Sequence, residues 1–432
     1  MSINSLLGSE LPIVQAPMAG VQGSALTIAV SNAGGLGSLP CAMLGTDAIR
    51  KEFENILSRN SRPFNANFFC HNPPSPNVEK ESAWHALFTP YYTEFGINEE
   101  TIPTGAARLP FNREMAELVC EYRPKVVSFH FGLPSPELLE MVKGSGAKVL
   151  SSATTVEEAV WLEEHGVDAV IAQGLEAGGH RGMFLTTDIN SQLGTFALLP
   201  QVVAAVKIPV IAAGGIANAS GVRAALELGA SAVQIGTAYM LCPEATTSTV
   251  HRAALKSDDA RLTALTNVFT GRPARGIVNR MVREVGPMSS MAPEFPKATA
   301  ASFVLRQKSE GLGRGDFSPL WAGQNTSGCK EASAAQLTPE LASLILGQST
   351  EVFLPPIAFV AGLPPLSQHP QHRQPHDGHA GQTEKADFGA PNLCHSRHQS
   401  RAALALRITT ACLADSAWMY WLNCSRLGVK SS

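Results

Sequence analysis

Residues 173–182 read Gln-Gly-Leu-Glu-Ala-Gly-Gly-His-Arg-Gly, a glycine-rich loop around a single imidazole, that of His180. Histidine exchanges a proton near neutral pH, and small neighbours let a bound ring come close. Two further glycine runs follow: Ala213 to Ala217 with Gly214 and Gly215 inside, and Gln234, Ile235, Gly236, Thr237. Loops of this kind offer backbone N–H groups to an anion, and a helix N-terminus behind them adds its positive end. Gly214, Gly215, Gly236 and the Thr237 hydroxyl are the candidate donors, with Asn218 or Ser220 capping the next helix. A single such loop would be explained equally well as a tight turn. Two in consecutive positions favour a phosphate, held by neutral donors because neither run contains Lys or Arg.

These residues need a scaffold. Short apolar or β-branched runs at 13–15, 36–39, 64–69, 126–131, 148–152, 169–172, 209–212 and 232–235 alternate with segments of helical spacing. Val156, Ala159, Val160 and Leu162 show that spacing, as do Val222, Ala225, Leu226 and Leu228. Thr154 or Thr155 can cap the first of these helices, and Gly166 follows its end. Strands that alternate with helices and read as buried on both faces indicate a parallel sheet. Eight is the number that closes an α/β (β/α)₈ TIM barrel, whose sites lie at the C-terminal strand ends. The three glycine loops follow strands six, seven and eight. Phosphates in such barrels recur after strands seven and eight. Asn67 ends strand three, and Gln15, Ala16, Pro17 and Met18 end strand one, completing a ring of polar and backbone groups.

The expected division is a barrel over 1–238 and 316–348, a small helical cap or substrate domain over 239–315, and a tail over 349–432. An insertion at about 71–124 carries Trp84, Phe88, Tyr91, Tyr92 and Phe95. They could line a lid, but large apolar side chains at roughly helical spacing mostly pack cores, and packing is expected. His71, His85, His130, His165 and His251 are read as structural. The tail holds His369, His372, His376, His379, His395 and His398 among Pro, Gln and Gly. Without hydrophobic periodicity to hold a geometry, no metal site is expected there.

Composition narrows the class. The 432 residues include 33 Lys+Arg against 36 Asp+Glu and are 44% hydrophobic, which excludes a disordered chain. A net charge of -3 offers no cationic field for nucleic acid. The N-terminus lacks a basic region followed by an apolar run, and no apolar stretch is long enough to span a membrane. Eight cysteines without CxxC pairs are expected as reduced thiols in a cytoplasmic protein. Oligomeric state is not legible.

Taken together the motifs resemble the nitronate monooxygenases, formerly called 2-nitropropane dioxygenases. The resemblance rests on 15–20 (Gln-Ala-Pro-Met-Ala-Gly), 32–37 (Asn-Ala-Gly-Gly-Leu-Gly), 67–74 (Asn-Phe-Phe-Cys-His-Asn-Pro-Pro), the three glycine loops and 320–324 (Leu-Trp-Ala-Gly-Gln). It runs from about residue 5 to about 347. It implies FMN at the barrel mouth, contacted by Asn67, Gln173, Gly178, Gly215, Gln234, Ile235, Gly236 and Thr237. The backbone of Ala16, Pro17 and Met18 would lie against the isoalloxazine. His180 stands where the family has its active-site histidine, and Trp321 and Gln324 stand where they could close over the site. The implied reaction takes an alkyl nitronate and O₂ to a carbonyl compound and nitrite. His180 would orient the nitronate, or deprotonate a nitroalkane. The tail has no counterpart in the family and is expected to be a frame-shifted or otherwise spurious extension, which tryptic peptides from beyond Arg373 would disprove.

Two alternatives stay open. Enoyl-acyl carrier protein reductases share a similar Glu-Ala-Gly-Gly-His loop, so an FMN-dependent NAD(P)H reductase, including a quinone reductase, fits the same fold. The insertion before strand four favours the monooxygenase. A non-catalytic flavin- or phosphate-binding module is the other. A purine-nucleotide dehydrogenase needs a loop cysteine, and none occurs between Gly174 and Pro200.

Overall fold

The computed structural model describes residues 3–102 and 109–345. The eight expected runs form β1 (Ile13–Gln15), β2 (Gly37–Pro40), β3 (Phe64–Phe69), β4 (Val126–His130), β5 (Lys148–Ala153), β6 (Ala169–Gln173), β8 (Val210–Ala213) and β9 (Ala232–Ile235). The intervening β7 (Gly179–His180) is discussed below. All eight pair in parallel in the order β1-β9-β8-β6-β5-β4-β3-β2. A parallel bridge from Val14 to Leu36 closes the ring, with Leu36 N–H donating to Ile13 O at 2.8 Å and Gln15 N–H to Leu36 O at 2.9 Å. The chain is therefore the expected TIM barrel. β4 stops one residue early because Phe131 leaves extended geometry at φ 70°.

Strand side chains alternate between faces, and this periodicity builds both the core and the site. Val14, Leu36, Val126, Leu150, Ile171 and Ile211 point inward and pack on Leu6 and Leu7 of the helix Ile3–Leu7, which plugs the barrel floor. Their neighbours Ile13, Leu39, Phe68, Val127, Val149, Val170 and Val233 pack outward in the helix layer. Full burial of one such aliphatic chain contributes roughly 1.5–3 kcal/mol. Thr155 caps the helix Val156–Glu164 and Asn218 caps Ala219–Glu227, each accepting from a backbone N–H of the first turn.

The aromatics of the insertion do not form a lid. Trp84, Phe88 and Tyr92 are buried in a second core with Val268, Phe269, Met281, Leu305 and Phe317. Trp84 Nε1–H donates to Ala298 O at 3.1 Å and the Tyr92 hydroxyl to Ala301 O at 2.6 Å. Residues 239–315 are helical at Thr249–Lys256, Arg280–Val285 and Thr299–Gly311. They also contain an element the helical reading did not include, the antiparallel ribbon β10 (Thr263–Thr266) and β11 (Ala274–Ile277). β11 pairs in turn with β7, joining this segment to the His180 loop. Two-residue β7 has no hydrophobic run of its own and is a strand only because β11 lies beside it. The tail and its histidines lie outside the described residues. Among those described, no helix is long and apolar enough to cross a membrane, no cluster of His, Cys, Asp and Glu could hold a metal, and Cys41, Cys70, Cys120, Cys242 and Cys329 are free thiols.

Candidate active site

Above the apolar floor the inward positions become polar, with Asn65, Asn67, Ser128, His130, Ser152, Gln173 and Gln234 on β3 to β9. Asn65 Nδ2 donates to Ser38 Oγ at 3.0 Å and Ser128 Oγ at 2.9 Å, and Asn67 Nδ2 to Ser128 Oγ at 3.0 Å. This polar layer is the floor of one cavity at the C-terminal strand ends. Ala16, Pro17, Met18, Asn67, Gln173, Gly178, His180, Gly215, Gln234, Gly236 and Thr237 all line it. Ile235 does not. It is the next residue of β9 after inward-facing Gln234, so its side chain turns outward into the helix layer, and its carbonyl accepts from Ala16 N–H at 2.8 Å.

His180 is fixed at its backbone and at its ring. Its carbonyl accepts from Gln173 Nε2 at 2.9 Å and faces His130 Nε2 at 3.2 Å. Its own Nε2 lies 2.9 Å from Thr270 Oγ1. Phe295 and Trp321 stand 5.4 and 5.6 Å from the imidazole, between ring centres. Gln173 also accepts from Gly182 N–H at 2.8 Å, so this amide shapes the loop as well as lining the cavity. Below the loop, Arg181 is fully buried and donates to Gln192 Oε1 at 2.9 Å, Gly174 O at 2.6 Å and Gln173 O at 2.7 Å. Burial lowers its pKa to about 10, with the nearby cation of Arg275 adding to the shift.

Two histidines read as structural line the same cavity, His130 and His251. His130 Nδ1 meets Ser152 Oγ at 3.0 Å. Burial pushes its pKa down to about 3, opposed by the bond to the His180 carbonyl. His251 Nε2 meets Trp321 O at 3.1 Å, and burial pushes its pKa down to about 4. Parity could have placed His130, which sits at i+2 from inward Ser128. Arg181, Thr270 and His251 carry no local signal, because their partners are far away in sequence. An unfolded histidine titrates near 6.5, so the stability gained by keeping both rings neutral is complete above that pH and is lost as pH falls towards 4 and 3. Urea unfolding between pH 6.5 and 4.5 should show a stability slope to which this pair adds up to about 2.7 kcal/mol per pH unit. His130→Gln should flatten that slope, and an unchanged slope in the variant would refute this source.

The cavity's lining fits a flavin. Gly214 and Gly215 adopt φ of 114° and 73°, and a side chain at Gly214 would come within 2.9 Å of Thr195 Oγ1. At Gly178 a Cβ would lie 2.5 Å from Ala322 C and Gly323 N, so the loop and the strap 321–325 pass backbone to backbone. That strap is tied to both glycine loops: Gly323 N–H donates to Thr237 Oγ1 at 3.0 Å, and Asn325 Nδ2 to Gly215 O at 2.8 Å. The amide oxygen of Gln234 is buried with no hydrogen-bond partner, an acceptor that suits a ligand N–H. Glu176 lines the cavity, but its carboxylate is taken by Thr195 N–H at 2.8 Å and Thr195 Oγ1 at 2.8 Å.

Comparison with known proteins agrees with this geometry. A nitronate monooxygenase from Pseudomonas aeruginosa is 42% identical over 345 residues, 79% of this chain and 98% of that one. A second, from Paraburkholderia phytofirmans, is 39% identical over 341 residues, 78% of this chain and 92% of the other. The crystal structure of nitroalkane oxidase from Streptomyces ansochromogenes superposes with a TM-score of 0.73 at 36% identity, covering 79% of this chain and 97% of that one. FabK from Thermotoga maritima gives 0.59 at 28% identity, covering 79% and 94%. The family model for nitronate monooxygenase matches residues 2–343, the stretch that holds every residue of the cavity, and the chain belongs to the nitronate monooxygenase family.

Proposed function

We propose that the protein is an FMN-dependent monooxygenase that converts alkyl nitronates, and nitroalkanes, with O₂ to carbonyl compounds and nitrite. One observation carries this reading: His180 stands on the wall of a cavity whose other walls are both glycine loops and residues 16–18. Asn67, Gln173, Gly178, Gly215, Gln234, Gly236 and Thr237 would hold the cofactor, with backbone donors at Gly215 and Gly236 on its phosphate. When bound, FMN supplies the one-electron redox chemistry, and the protein supplies position and field. His180 orients the nitro group of the substrate anion, and in its neutral form takes the Cα proton of a nitroalkane. Phe69 and Trp321 line the cavity near it and keep water from the reacting carbon. The barrel, 1–238 and 316–348, carries the cofactor, while 239–315 and the aromatic insertion cap it. The enzyme works in the cytoplasm.

The test is aerobic turnover with ethylnitronate and propionate 3-nitronate, following O₂ uptake and nitrite release together. Both should appear without NADH or NADPH. Rapid anaerobic bleaching of the flavin by either nucleotide, with no nitrite from nitronates, would instead make the protein a reductase.

A further inference from the structure

We infer that Thr270 is a positioning residue for His180, setting the pH at which the imidazole changes protonation state. The inference rests on the reading of His180 as the reacting histidine.

Thr270 is buried, and its hydroxyl lies 2.9 Å from His180 Nε2 and 3.4 Å from Arg272 O. Its loop has little freedom. Gly271 N–H donates to Asn267 O at 2.7 Å, while the Asn267 side chain donates to Ser289 O and accepts from Ser289 N–H, both at 2.9 Å. Gly271 has φ 89°, and a Cβ there would sit 2.0 Å from Pro293 O, so this turn admits no side chain. Just beyond the turn, Ala274 pairs with His180 itself across β11 and β7. The carbonyl of His180 is meanwhile held from the barrel side by Gln173 and His130. The hydroxyl and the ring therefore meet at a distance set from both sides.

A hydroxyl serves a titrating imidazole in a way that a carbonyl or an amide N–H cannot, because it both donates and accepts. It can donate to Nε2 of the neutral ring. When the ring is protonated, Nε2–H donates to Thr270 Oγ1, whose own proton turns towards Arg272 O. The bond to the charged ring is the stronger of the two, so the hydroxyl favours the protonated form. Two guanidinium groups stand nearby. Arg272 lies 3.9 Å over the Phe131 ring, which packs edge-on to His180, and Arg181 is the next residue in the chain. His130 lies behind the backbone and is kept neutral by burial, and His71 packs on Phe131 and Phe295. The nearby carboxylates of Glu158 and Glu176 are engaged by Thr154 and Phe184, and by Thr195.

Thr270→Val keeps the shape and removes the hydroxyl. The His180 limb of the kcat/KM–pH profile for a nitroalkane should move down by about one unit, the worth of one ordinary hydrogen bond. Nitroalkane turnover above that limb should fall a few fold, because a base of lower pKa takes the proton less readily; Thr270→Ser should restore both, and the bound-flavin spectrum should stay unchanged. Thr270→Ala serves if valine is not tolerated. A wild-type profile in the variants lacking the hydroxyl, alongside an inactive His180→Asn enzyme, overturns the inference alone. A fully active His180→Asn enzyme overturns the reading of His180, and this inference with it.

Discussion

His180→Asn should lower nitroalkane turnover by roughly 10²–10⁴-fold, the usual contribution of a positioned general acid or base. Asparagine removes the ring nitrogen that meets Thr270 and has no pKa near neutrality. The main-chain carbonyl of residue 180 still meets Gln173 and His130, so the loop and the cavity wall should hold their places. Flavin content and its visible spectrum should therefore match wild type while kcat/KM collapses. With a preformed nitronate the deprotonation step is absent, and the loss should be smaller because only orientation of the anion is removed. Steady-state nitrite release on both substrates checks the pair of outcomes. Turnover within a few fold of wild type on both would leave the barrel as a binding module, or move the chemistry to another group.

Arg181→Met should be the most damaging change for the fold of the site. The guanidinium is fully buried and serves three acceptors: the carbonyls of Gln173 and Gly174 and the Gln192 side chain. Those carbonyls start the loop that ends in His180. With a pKa lowered only to about 10, the group remains cationic at neutral pH. Methionine fills most of the volume but takes a charged donor from all three acceptors, and Gly174 O is left with the Ala177 N–H at 3.1 Å. A buried acceptor deprived of its donor typically costs about 1–3 kcal/mol, so a loss of several kcal/mol is expected. A matching drop in the urea midpoint is expected, together with loss of flavin on gel filtration. Arg181→Lys should fall between the two, because one ammonium cannot reproduce the planar fork. An Arg181→Met enzyme with a wild-type midpoint would show that the loop does not depend on this cation.

Much of the fold was legible because it rests on local patterns. Short apolar runs and helix spacing mark all eight strands to within a residue or two, and Thr155 and Asn218 cap helices where a short polar side chain precedes an apolar run. Ile235 belongs to the same run as Gln234 and Gly236 yet turns its side chain away from the cavity, because a strand presents only every second side chain to one face. The same parity places His130 on the cavity side, although an isolated histidine within an apolar strand usually packs.

The order of residues along the chain settled the barrel, the two glycine loops and the candidacy of His180, because each depends on neighbours within one strand, one turn or one helix. Everything that gives His180 its setting came only with the tertiary structure. Thr270 reaches its ring from 90 positions away, Trp321 faces it from the closing strap, and Trp84 and Tyr92 turn out to hold the cap together. The physical reason is that hydrogen bonds and ring contacts act over a few ångströms of space. Only folding brings residues so distant in sequence within that reach.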